Sequence, residues 1–341
     1  DLTGNYSNQT FQTQKKWSSI NTMDPAYDQY EKAREFYRTH EYLAWIGEDE
    51  SDEETIRSAS EEALDQSENA NSPANTDSAS AKISDQPMIY LMQQLMDYDF
   101  LMKHFYNVHT STTADRELMN AKNLLSKDLT LEKEDAPQIL IYHTHSQETY
   151  ADYAAGNKKA TVVELGNRLT ALLEEKGYQV LHDTTSYDMA AGKLDRNHAY
   201  NYALDGIMGI LQKYPSIQVV LDLHRDGVKE SLHMVRTVNG KATAPIMFFN
   251  GMSQTPEGEI EYLKNPYKTE NLAFSLQMQL LAEEEYPDLT RKIFLKGLRY
   301  NLHVRPRSAL IEVGAQTNTL EEALNAMEPL ADLLDQVLGG G

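Results

Sequence analysis

The chain has 341 residues and a formal net charge of −21, with 52 acidic against 31 basic side chains and no cysteine. No Lys/Arg-rich block is present to neutralise a run of phosphates, which argues against a nucleic-acid binder; without cysteine, His, Asp and Glu are left to hold any metal. No apolar run reaches the roughly 18 residues that a bilayer span needs, and the sequence opens at Asp1 with no signal-peptide pattern.

Residues 24–46 carry Tyr27, Tyr30, Phe36, Tyr37, Tyr42, Leu43 and Trp45 among charges, which predicts a short amphipathic helix in an N-terminal arm, 1–46. From 47 to 86 the chain turns acidic, with the block Glu48 to Glu54, and then Ser/Asn/Ala-rich. Such a segment buries too little apolar surface to offset its ordering entropy and reads as a disordered linker. A folded domain is expected over 87–341. It begins with a helix carrying Ile89, Leu91, Met92, Leu95, Met96, Phe100, Leu101 and Phe105, followed by a helix near 117–125 and a strand at 138–142.

A polar loop then leads to a helix over 162–176 that Gly177 ends. Strands are predicted at 178–182, 217–223 and 308–313, and helices at 197–213, 271–285 and 320–338. A hairpin is expected over 233–249 around Asn239-Gly240. The β-α-β-α-β alternation predicts an α/β fold of three layers, with a largely parallel or mixed sheet and helices on both faces.

The chemistry concentrates at strand ends. Ile139-Leu-Ile-Tyr-His143-Thr-His145-Ser-Gln-Glu148 is an apolar run that stops at two imidazoles and a carboxylate, the usual ligand types of a catalytic Zn²⁺. Val219-Val-Leu-Asp-Leu223 ends likewise at His224, and ligands bind at such carboxyl ends in open α/β sheets. Ser308-Ala-Leu-Ile-Glu312 sets a carboxylate inside an apolar run, which is costly unless the group is paired or used. One use is to neutralise Arg305 or Arg307; the other is chemistry. Two acids compete as the third ligand. Thr161-Val-Val-Glu164 has capping-box spacing, which gives Glu164 a structural task, so Glu148 is preferred with His145 and His224. His143 is then expected behind the ligands or toward the substrate.

These motifs, together with Met96-Asp-Tyr-Asp-Phe100, Ser111-Thr-Thr113, His182-Asp-Thr-Thr185, Asp222-Leu-His-Arg-Asp226 and Asn318, resemble the stage II sporulation protein P family over about 87–338. Its closing Glu motif is also similar to that of zinc N-acetylmuramoyl-L-alanine amidases. The resemblance implies a zinc amidase-like fold, Zn²⁺ on His145 and His224, Glu312 as the catalytic carboxylate, and peptidoglycan as substrate. It implies cleavage between N-acetylmuramic acid and the stem peptide, with a further cut in peptide cross-links. It points to Glu164 as second ligand where the residues favour Glu148. Thr144-His-Ser-Gln147 stands where the wider amidases have Gly-His-Gly-Gly. Arg225, Arg305 and Arg307 become candidates for stem-peptide carboxylates, and Asn318 for a place near the site. An extracytoplasmic location is implied, with a membrane-anchoring N-terminal helix not included in this sequence, and stage II sporulation proteins D and M as partners. A zinc carboxypeptidase-like peptidase and a non-catalytic wall-binding scaffold are the alternatives.

Overall fold

The computed structural model describes residues 92–340; the expected arm (1–46) and acidic linker (47–86) lie outside the described residues. Its centre is a seven-stranded sheet. In chain order the strands are β1 Tyr106–Val108, β2 Ile139–Tyr142, β3 Val180–His182, β4 Val219–Asp226, β5 Ile246–Gly251, β6 Ile293–Lys296 and β7 Arg307–Ala315. Across the sheet they lie β1-β6-β5-β7-β4-β2-β3. Every neighbouring pair is parallel except β5 and β7. The helices are α1 Tyr98–Phe105, α2 Ala121–Leu125, α3 Ala151–Ala154, α4 Val162–Glu175, α5 Ala199–Lys213, α6 Lys268–Glu285, α7 Leu320–Asn325 and α8 Met327–Gly339.

Strand side chains alternate between faces, and the two faces are covered differently. Ile139, Ile141, Leu221, Leu223, Ile311 and Val313 pack with Leu165 and Leu169 of α4, Leu276 of α6 and Leu330 and Leu334 of α8. On the other face, Leu140, Tyr142 and Val220 lie under Ala203, Leu204, Ile207 and Leu211 of α5. There Met247, Phe249, Phe294 and Leu310 are covered by Leu302 and Tyr300, from the irregular segment before β7. The result is the expected α/β sandwich of three layers, with one layer shared between a helix and a non-helical strap.

The sequence patterns differ from the structure where local chemistry interrupts a period. The first helix breaks at Asp97, whose carboxylate accepts from the backbone N–H groups of Asp99 and Phe100 and caps α1. The last one breaks at Ala326 into α7 and α8; Thr319 and Glu322 form a capping box at the first start, and Pro329 sits in the first turn of α8. The hairpin shrinks to Arg236–Val238 and Lys241–Thr243 about Asn239 (φ 52°) and Gly240 (φ 76°), the two left-handed residues that a type I′ turn requires. Residues 246–251 leave it to become β5. Thr161 does start α4, but makes no side-chain cap bond; the Glu164 carboxylate accepts from Asn167 instead. The capping box expected there is absent.

Strand β2 has β3 on one side and β4 on the other. The β2-to-β3 connection passes through α4 on one face and the β3-to-β4 connection through α5 on the opposite face. That reversal opens a crevice at the carboxyl ends of β2 and β4, where an α/β sheet places its ligand.

Candidate metal and catalytic centre

The crevice gathers residues from four segments. Strand β4 runs on past Leu223, so His224 and Asp226 belong to the strand itself. By alternation Asp222 and His224 share the α5 face. In β7 Ile311 and Val313 turn to the α4 face, so Glu312 turns toward α5, and it stands in direct register with His224. The loop after β2 brings His145 against His224, with ring centroids 5.3 Å apart. The same loop brings in Glu148, whose Oε2 is 3.3 Å from His224 Nδ1.

Glu148 is held from two more sides. Its Oε1 accepts from Arg196 Nη2 at 2.9 Å and its Oε2 from the Arg225 backbone N–H at 3.0 Å. Arg225 also binds the Thr149 carbonyl through Nε, so it braces the loop that carries Glu148. Burial would raise the Glu148 carboxyl, but the facing His224, then Arg225 and His145, outweigh it and hold it well below the usual carboxylate range. Asp222 is anchored by the backbone N–H and hydroxyl of Thr144, at 2.9 and 2.6 Å. Its Oδ1 lies 2.9 Å from His224 Nε2, close enough for an ion pair but out of line for a hydrogen bond. Burial works against charge on His224 as well; Asp222 and Glu148 outweigh it and raise its pKa well above the usual value. His145 has no comparable support, and burial lowers it to about 4.

Glu312 differs from every other acid in the crevice. The side chain keeps a little exposure, yet Oε2 is sealed from solvent and has no hydrogen-bond partner among the described residues. Burial first, with Asp226 and Glu148 adding to it against His224 and Arg225, pushes its pKa up to about 8.

Two buried atoms of the crevice, His145 Nδ1 and Glu312 Oε2, have no hydrogen-bond partner among the described residues, and His224 turns Nδ1 toward Glu148 and Nε2 toward Asp222. Among the described residues no three His, Asp or Glu side chains are already drawn up as a finished metal cage. Even so, the donor set fits Zn²⁺. Two ligands of a tetrahedral zinc with bonds of about 2.0–2.1 Å stand roughly 3.3 Å apart, which is the Glu148–His224 separation. His145, Glu148 and His224 could hold the ion, with Asp222 as the carboxylate that orients a ligating imidazole from behind.

The other sequence candidates lie elsewhere. His143 falls on the odd-numbered, α4 face of β2; its Nδ1 donates to the Leu223 carbonyl and its Nε2 meets His182 Nε2 at 2.9 Å. Gly166 of α4 gives these rings room, since a Cβ there would overlap both. Arg305 and Arg307 are at the opposite edge of the sheet, because β7 enters there: Arg307 is level with Val219, the first residue of β4. Arg305 donates to the carbonyls of Ile217 and Val304, and Arg307 to those of Leu129 and Thr130. Neither reaches the crevice, which corrects the expectation that they bind stem-peptide carboxylates. Asn318 is buried and fully used. Its Oδ1 accepts from Ala315 N–H and its Nδ2 donates to the Met234 carbonyl and Glu322, so it fixes the chain after β7 and does not face a substrate. Glu164 is on the exposed side of α4, away from the two histidines.

Sequence reasoning passed over Asp222, Arg196 and Tyr200. A buried Asp inside Val-Val-Leu-Asp-Leu, two residues before a candidate ligand, carries a signal by the same cost argument used for Glu312. Arg196 and Tyr200 come from the segment before α5 and its first turn, and nothing in their spacing announces a contact with a loop some 50 residues earlier.

The sequence description of stage II sporulation protein P (SpoIIP) matches residues 12–335. The chain belongs to the SpoIIP family. No curated protein matches it significantly. Among solved structures, it is similar to the CwlD amidase from Clostridioides difficile in complex with the GerS lipoprotein, with 13% sequence identity and a TM-score of 0.36, over 58% of this chain and 98% of that one. Membership of the SpoIIP family makes this a sporulation protein. Among the described residues no helix is long and apolar enough to cross a membrane.

Proposed function

We propose that the chain is a zinc-dependent peptidoglycan hydrolase. It cuts the amide between N-acetylmuramic acid and the first alanine of the stem peptide during engulfment, and also cuts within peptide cross-links. The observation that carries this reading is the register of Glu312 with His224, which sets an unpaired carboxyl beside the convergent His145, Glu148 and His224. The reading includes work outside the cytoplasm, membrane anchoring by an N-terminal helix not included in this sequence, and stage II sporulation proteins D and M as partners, as the family resemblance implies.

When bound, Zn²⁺ supplies a Lewis acid that polarises the scissile carbonyl and acidifies water. The chain supplies proton handling and position. Glu312 takes the proton of the attacking water on its sealed oxygen and delivers it to the departing amine, a task suited to a carboxyl whose pKa burial brings near neutrality. Arg196 and the Arg225 N–H fix Glu148 so that its carboxylate does not swing toward Glu312. Asp222 holds the His224 ring in place.

Product analysis on purified peptidoglycan tests the proposal. Glycan strands with intact lactyl-muramic acid, together with stem peptides bearing a new N-terminal alanine, are expected. Release of terminal residues alone identifies a carboxypeptidase-like enzyme instead, and unchanged strands with retained wall binding identify a scaffold.

A further inference from the structure

The end of the segment before α5 and the first turn of α5 touch two of the three proposed ligands. Arg196 pairs with Glu148, and four residues later the Tyr200 ring stands edge-on to His145, with centroids 5.5 Å apart and planes at 87°. Tyr200 also meets Tyr300 in a second edge-to-face contact at 5.4 Å. Its backbone carbonyl accepts from Asn301 Nδ2 at 2.8 Å, and Asn301 is itself buried. The ring thus has two aromatic neighbours, His145 and Tyr300, and the residue's backbone is tied to the strap that carries Tyr300. Aromatic pairs of this geometry attract one another beyond simple burial, which favours one rotamer.

The hydroxyl is treated differently from the ring. Among the described residues the Tyr200 side chain makes ring contacts only, with no hydrogen bond from its hydroxyl, and the residue remains partly exposed. Two buried tyrosines use theirs, Tyr150 donating to the Val313 carbonyl and Tyr187 to Asp183, whereas the Tyr106 hydroxyl is also unpartnered among the described residues but lies in β1, at the far edge of the sheet from β4. Asp222, His224 and Glu312 all project onto the α5 face, toward the layer from which Tyr200 comes. A phenol keeps its proton at neutral pH and donates one hydrogen bond.

We infer that the Tyr200 hydroxyl is a catalytic hydrogen-bond donor to the carbonyl oxygen of the scissile amide, strengthening as that oxygen gains negative charge. The inference rests on the amidase reading above. A donor aimed at developing charge in a water-poor site acts on kcat more than on binding.

Tyr200→Phe keeps both ring contacts and removes only the donor. Measured on the zinc-loaded protein with purified peptidoglycan, it lowers kcat by about 10²-fold and leaves KM and zinc stoichiometry unchanged. Tyr202→Phe, an exposed position on the next part of α5, is the control and retains wild-type kcat. Full activity in Tyr200→Phe with loss in Glu312→Gln overturns the Tyr200 assignment alone. Loss of zinc from Tyr200→Phe also overturns it, making the hydroxyl a support for the metal site and not a donor to the substrate. Wild-type products other than stem peptides bearing a new N-terminal alanine remove the amidase reading and this inference together.

Discussion

Glu312 and His224 face each other in register on the neighbouring parallel strands β7 and β4, with both side chains on the face that α5 covers. One residue of slip in either strand would turn its member of the pair to the α4 face. The strands are pinned against such slip by Ile311, Val313, Leu221 and Leu223, which are buried on that other face.

Glu312→Gln preserves the shape of the side chain and removes its ability to take a proton. Peptidoglycan hydrolysis should fall by about 10²–10⁴-fold, the usual worth of a general base, while zinc stoichiometry stays at the wild-type value. Turnover measured with metal content on the same preparation checks this. Activity near wild type would exclude Glu312 as the base.

Asp222→Asn keeps an acceptor for Thr144 but withdraws the negative charge beside His224 Nε2. Loss of such a supporting carboxylate lowers metal affinity by roughly 10–100-fold. Competition with a chelator of known zinc affinity reads the change directly. Affinity equal to wild type would mean that Asp222 serves the Thr144 turn and nothing more.

The metal-free protein should be most stable near pH 6.5. Burial depresses His143 and His145 to about 4, and His303 well below its usual value. Below about 6.5 the unfolded chain therefore binds protons that the folded one refuses, and stability falls as pH falls. Above 6.5 the sign reverses. Glu312, raised to about 8, and His224, raised well above 6.5, keep protons in the folded state that the unfolded chain has released. Each net proton gives a slope of about 1.4 kcal/mol per pH unit. Urea unfolding of chelated protein from pH 5 to 8 checks the maximum; stability that climbs steadily to pH 8 would contradict it.

The strand ends that build the centre were legible because burial and chemistry coincide in them. Apolar runs ending in His or holding a lone Glu stand out, and the alternation of elements indicated the layered fold. The direction of each side chain was less accessible. His143 and His145 are two residues apart and look alike in the sequence, yet a turn follows β2 between them, so one joins His182 and the other joins His224. Arg305 and Arg307 lie close to Glu312 in sequence, but an extended strand rises about 3.3 Å per residue and carries them to the far edge. The identity of β5 was hidden for another reason: a hairpin pattern accounts for its residues until β7 claims them as an antiparallel neighbour.

Arg307→Ala should therefore behave as a structural change. It removes guanidinium hydrogen bonds to the Leu129 and Thr130 carbonyls, at a cost of about 1–2 kcal/mol, with KM for peptidoglycan unchanged. Chemical denaturation alongside steady-state kinetics separates the two effects. A raised KM at intact stability would return Arg307 to the substrate site.

The central claim is that one zinc ion joins His145, Glu148 and His224. Zinc-edge anomalous scattering from crystals of the zinc-loaded protein tests it most directly. The account predicts a single strong peak within about 2.0–2.3 Å of a nitrogen on each histidine and of a Glu148 oxygen, with Glu164 still beside Asn167. A peak bonded to Glu164, or no peak between His145 and His224, would contradict it.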